Sequence, residues 1–209
     1  MKLYQLPYSH HCAKVRVTLL EKGLTHELPP LPGGSTRSPE FLALSPLGKV
    51  PVLVAGDTVI AESEVIVEYL EEIAPSPVML PRGAAQRARS RGLTRFHDLY
   101  FGKQLSALFF GLARKGDPAM DAELDEMERL TALLEGWIEP EPYFFGAAFG
   151  IADATYALSV YYLGYLSNAF GRADALSRAP KLMRSFDAAR GRRSVAAVIA
   201  DCEAALAAR

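Results

Sequence analysis

The sequence predicts a mixed α/β unit over residues 1–76, a linker over 77–84 and an all-helical unit over 85–209. Three observations carry that prediction. Short β-type runs alternate with helical periodicity only in the first third of the chain. Pro75, Pro77, Pro81 and Gly83 then crowd into a few residues, as a linker does. Beyond them apolar residues recur at helical spacing and no strand pattern returns.

The first unit reads β-α-β-(α)-β-β-α. Residues 2–6 form a short strand that Pro7 ends. After Tyr8-Ser9-His10-His11-Cys12, residues 13–22 place Ala13, Val17 and Leu20 on one helical face, and Gly23 supplies a C-terminal stop. Strands joined through a helix are expected to run parallel. Residues 29–39 read as loop, with a short helix over Pro39–Leu44. Val50–Val54 and Thr58–Ala61 are strands joined by the hairpin turn Ala55-Gly56-Asp57. From Ser63 the period becomes helical, with Ile66, Tyr69, Leu70 and Ile73 on one face. In the second unit, Leu93, Phe96, Tyr100, Gln104 and Leu108 mark one long helix. Four more follow over 121–137, 151–170, 180–189 and 194–208.

The totals narrow the function classes. Half of the residues are hydrophobic, enough for a sizeable core. The 23 basic and 24 acidic side chains nearly cancel, leaving a net charge of −1. No basic face for nucleic acid and no polybasic membrane patch emerges. No segment reaches the roughly 18 apolar residues of a spanning helix, and residues 1–7 lack the pattern of a signal peptide. Cys12 and Cys202 stand far apart and form no disulfide scaffold, so a reducing cytoplasm is the expected setting.

Four segments resemble the glutathione S-transferase superfamily, in that family's order: Tyr8 to Val17, Ser45 to Leu53, Ala61 to Leu70, and Gly150-Ile151-Ala152-Asp153. The second is similar to the family's N-P-x-G-K-V-P-x-L stretch and the third to its E/Q-S-x-x-I-x-x-Y-L stretch. The resemblance implies a thioredoxin-like N-terminal domain followed by a helical domain, the glutathione S-transferase fold. It implies glutathione as co-substrate, a hydrophobic electrophilic small molecule as second substrate, no metal, and a homodimer.

The resemblance also implies roles for residues that have blander readings. Ser9 stands at a strand-to-helix junction, where N–H groups and the helix dipole favour an anion. Its hydroxyl could polarise the glutathione thiol, or simply cap the helix. Cys12 and His11 are the alternatives at this turn. A small buried thiol is the commoner fate of a cysteine one turn into a helix. Adjacent His10 and His11 cannot converge on one metal ion with Cys12 without distorting the helix start. Val50-Pro51 is expected in the cis form, offering the Val50 backbone to a peptide ligand. Glu62 and Ser63 suit the amino and carboxylate ends of the γ-glutamyl group, and otherwise serve as a cap and first-turn acid. Lys49 could pair with the glycyl carboxylate. Asp153 resembles the family's folding box, with Gly150 replacing the usual hydroxyl residue at the N-cap. Phe96 and Tyr100 are the candidates for an apolar pocket between the domains, although an aromatic stripe at helical spacing is usually core. Other outcomes consistent with the same site are an isomerase, a dehalogenase, a thiol reductase, or a non-catalytic binding protein that partners the transcription machinery.

Overall fold

A computed structural model describes residues 1–208. The chain divides into two compact units: Met1–Met79 with the segment from Arg193 onward, and Leu80–Arg192. The boundary falls inside the predicted linker. The last helix departs from the sequence reading, which placed all of 85–209 in one helical domain. It belongs to the first unit.

In the first unit, β1 (Lys2–Tyr4) and β3 (Thr58–Ala61) flank β2 (Val52–Ala55) in an antiparallel sheet of order β1-β2-β3. The parallel strand expected after the first helix is reduced to one bridge, Lys2 with Glu27, closed by Leu3 N–H to Glu27 O and Glu27 N–H to Met1 O, both 2.9 Å. Pro29, Pro30 and Pro32 follow and cannot donate to a ladder, which explains why pairing stops there. Helix α1 (His10–Glu21) starts earlier than its periodicity suggests, because Ser9 caps it by accepting from Cys12 N–H at 3.3 Å. Helix α2 (Pro39–Leu42) is capped by Ser38 and ends before a tight loop. Helix α3 (Ser63–Ile73) follows β3 directly.

Leu3, Val15, Leu19, Phe41, Leu53, Ile66 and Leu70 are fully buried and form this unit's core. Truncating Phe41 to Ala is the kind of change that removes about 3–5 kcal/mol. Helix α9 (Arg193–Ala207) buries Val195, Val198 and Cys202. Arg16 of α1 reaches its Asp201, and its Ser194 hydroxyl bonds Glu21.

In the second unit, α4 (Ala84–Phe96) and α5 (Gly102–Phe110) are the long helix predicted from the Leu93–Leu108 spacing. They are separated by a widened π-type turn at His97–Phe101. Side-chain bonds account for the interruption. The Tyr156 hydroxyl donates to the Leu93 carbonyl at 2.9 Å, and the buried His97 ring bonds Ser159 Oγ at 2.8 Å and Asp98 at 3.0 Å. Helices α6 (Pro118–Trp137), α7 (Ile151–Ala169) and α8 (Pro180–Arg190) complete the unit. Helix α7 is apolar around most of its circumference and forms its centre. Asp153, at the third position of α7, accepts from Gly150 N–H and Phe144 N–H at 2.9 Å and from the Ser185 hydroxyl at 3.2 Å. With glycine at the N-cap, only this half of a capping box forms. Burial outweighs these donors and pushes the Asp153 carboxyl up to about 6.

Candidate functional site

Sheet register assembles the candidate site. Tyr4 pairs with Val52, and Val52 with Ala61, so these three residues line one end of the sheet. From that end β1 runs on to Ser9, β2 is entered through Val50-Pro51, and β3 runs on to Glu62-Ser63. Three segments distant in sequence thereby meet, and both α1 and α3 begin there. A helix N-terminus favours an anion, and α1 and α3 both start on segments that leave this end of the sheet.

Each junction has its own geometry. Ser9 is half-buried and its backbone N–H is held by Leu6 O at 2.9 Å. Its oxygen accepts the Cys12 N–H, which leaves the hydroxyl proton to point elsewhere. The Val50-Pro51 peptide is cis, as the sequence predicts. Glu62 has φ 69° and ψ 116°, a left-sided backbone that a non-glycine residue holds only when its surroundings impose it. Its side chain is exposed, while Ser63 beside it is only 5 % exposed at the first position of α3.

Cys12 and His11 are placed differently. Cys12 is 0 % exposed. Burial pushes its thiol up to about 11, opposed only in part by the hydrogen bond with Ser9. Such a thiol stays protonated, and the protonated form is a poor nucleophile. His11 is half-buried at the second residue of α1, its ring tilted against that of His10 with centroids 4.2 Å apart.

The family model for the glutathione S-transferase N-terminal domain matches residues 3–78. Glutathione S-transferase 3 of Zea mays is 31% identical over 168 residues, covering 76% of each chain. The chain belongs to the glutathione S-transferase family. A glutathione S-transferase of Pseudomonas putida is 30% identical over 176 residues, covering 82% of this chain and 77% of the relative. A glutathione transferase of Burkholderia graminis, solved with two glutathione molecules bound per subunit, has the same fold: TM-score 0.80 at 24% identity, covering 94% of this chain and 86% of that one.

The other glutathione S-transferase candidates fall in two groups. Lys49 is exposed, at the end of a loop that Ser45 closes: the Ser45 Oγ accepts Lys49 N–H at 3.1 Å and donates to Lys49 O at 2.9 Å. Gly48 in that loop has φ +60°, and a Cβ there would meet Thr36 O at 2.7 Å, so glycine is required. Phe96 and Tyr100 lie in the second unit. Phe96 is buried, edge-on against Trp137 with centroids 4.9 Å apart. Tyr100 is mostly exposed, with its ring 5.7 Å from Phe96.

Two residues of this region escaped the sequence reading. Lys14 is 0 % exposed and reaches Glu64 at 3.1 Å. A lysine inside an apolar helical face was the available signal, but nothing in the sequence connects it to an acid 50 residues later.

Proposed function

We propose that this chain catalyses glutathione transfer to a hydrophobic electrophile, with Ser9 polarising the bound thiol. The observation that carries the reading is the meeting of Ser9, Val50-Pro51 and Glu62-Ser63 at one sheet end. Ser63 and the backbone N–H groups of the first α3 turn suit the γ-glutamyl carboxylate. Glu62 suits the adjoining ammonium group, and Lys49 the glycyl carboxylate. The Val50 backbone offers strand-like pairing to the cysteinyl residue. The thiol then lies towards the N-terminus of α1, where the helix dipole and the Ser9 hydroxyl both favour a thiolate. That thiolate attacks the electrophilic carbon, the leaving group departs, and the thiol proton passes to solvent.

The buried, proton-retaining Cys12 supports Ser9 over Cys12 as the residue facing sulfur. Steady-state conjugation of a chloronitrobenzene separates them. Ser9→Ala is expected to lower kcat by about 10²-fold or more, the size of one lost polarising donor. Cys12→Ala is expected to leave kcat within about twofold. The opposite pattern transfers the role to Cys12.

The active form is proposed to be a homodimer. Val65 and Ile73 of α3 are about half exposed, and a second copy can cover them. Val65→Asp should shift the sedimenting species from dimer to monomer. A monomeric wild-type protein contradicts this assignment.

A further inference from the structure

We propose that Lys14 is a positioning residue of the glutathione site, acting through Glu64. The inference rests on the reading of α3 given above. Glu64 is the second residue of α3, adjacent to Ser63, where a ligand carboxylate is to be bound. A fixed carboxylate there helps the helix itself but repels an anionic ligand. Lys14 lies against it at 3.1 Å with its side chain fully buried, while the Glu64 side chain is 21 % exposed. A buried ammonium is expensive unless paired, and an apolar side chain of similar length would pack in the same space at lower cost. What Lys14 provides, and an apolar residue cannot, is a charge. It cancels Glu64 and leaves the α3 terminus open to an anion.

The pair also fixes spacing. Lys14 is in the second turn of α1, whose cap is Ser9, and Glu64 is in the first turn of α3, whose first residue is Ser63. The bond therefore ties the helix end that faces the thiol to the helix end that faces the γ-glutamyl group. A second buried lysine supplies the contrast. Lys22 pairs with Glu71 at 2.6 Å and donates to Ala74 O at 2.6 Å and Pro77 O at 2.9 Å. It clamps the far ends of the same two helices. Lys22 holds the fold together, whereas Lys14 acts on the ligand through its charge.

The test is calorimetric binding of S-methylglutathione, whose capped thiol removes any contribution from ionisation at Ser9, together with thermal unfolding of each variant. Lys14→Met removes the ammonium that faces Glu64 at 3.1 Å and is expected to weaken binding about tenfold, as one like-charge contact does. The loss should shrink at high salt, because Glu64 is part-exposed and its repulsion is screened. Glu64→Gln added to Lys14→Met should restore binding to within about twofold of wild type, and Lys14→Arg should bind as wild type. Lys22→Met should lower the unfolding temperature and leave affinity within about twofold. If Lys14→Met does not fold, Lys14→Gln, which keeps a hydrogen-bond donor facing Glu64 without the charge, stands in: about tenfold weaker binding supports the proposal and wild-type affinity overturns it. Wild-type affinity in a folded Lys14→Met also overturns the proposal, as does failure of the Glu64→Gln rescue. Absence of S-methylglutathione binding by the wild-type protein overturns the underlying glutathione reading instead, and this proposal with it.

Discussion

Cys12 gives the sharpest chemical prediction. Its thiol is fully buried and titrates at about 11, so at pH 8 about one molecule in a thousand carries the thiolate. A free cysteine with a pKa of about 8.5 is roughly one quarter ionised at that pH. Ionisation alone therefore slows alkylation about 200-fold, before the barrier of reaching a buried sulfur is added. Cys202 is equally buried and serves as an internal reference. Incubation of the native protein with iodoacetamide at pH 8, followed by peptide mass spectrometry, should find both cysteines unmodified over the time a free thiol reacts to completion. The same treatment in guanidinium should label both, and native treatment should leave conjugating activity intact. Labelling of native Cys12 within tenfold of the free-thiol rate, with Cys202 untouched, would refute the argument that burial silences it and would reopen a cysteine mechanism.

Two further predictions concern stability. The Asp153 carboxyl is raised from 3.8 to about 6 in the fold, so folding favours its protonated form. Its contribution is complete below about pH 3.8 and is lost as pH rises through 6, a change of about 3 kcal/mol. Subtracting the Tm–pH curve of Asp153→Asn from that of wild type should reveal this fall between pH 4 and 6, and a flat difference curve contradicts the assigned titration. Glu62 sits at φ 69°, so Glu62→Gly should relieve strain and leave the protein equal in stability or up to about 1 kcal/mol more stable, while glutathione affinity falls. A loss of more than about 1 kcal/mol in urea unfolding argues that the backbone there is unstrained.

Much of the site was legible because local rules write it. Ser9 before an apolar helical face announces an N-cap, Ala55-Gly56-Asp57 announces a hairpin, and Glu62-Ser63 marks the change from period 2 to helical period. The cis form at Val50-Pro51 followed from the segment's resemblance to a family. What escaped depends on pairing across the chain. The amphipathic pattern of α9 tells that one face is buried but not that α1 covers it, a fact carried by Arg16 with Asp201 and Glu21 with Ser194. The π-type turn at His97–Phe101 is imposed by Tyr156 and Ser159, some 60 residues downstream, so no local signal marks it. The expected parallel strand shrinks to one bridge at Glu27 because prolines follow closely. Phe96 carries a helical apolar spacing that core and pocket residues share, so the spacing alone does not separate the two roles.

Whether glutathione binds at the end of the sheet reached from Ser9, Pro51 and Ser63 is decided by calorimetric titration of glutathione into the wild-type protein and into Ser63→Ala. Saturable one-site binding is expected for the wild type, weakened at least tenfold in Ser63→Ala with unchanged thermal stability, since a buried hydroxyl bonded to a charged carboxylate is worth about 1.5–3 kcal/mol. No heat of binding at millimolar glutathione, or equal affinity in the two proteins, would contradict it.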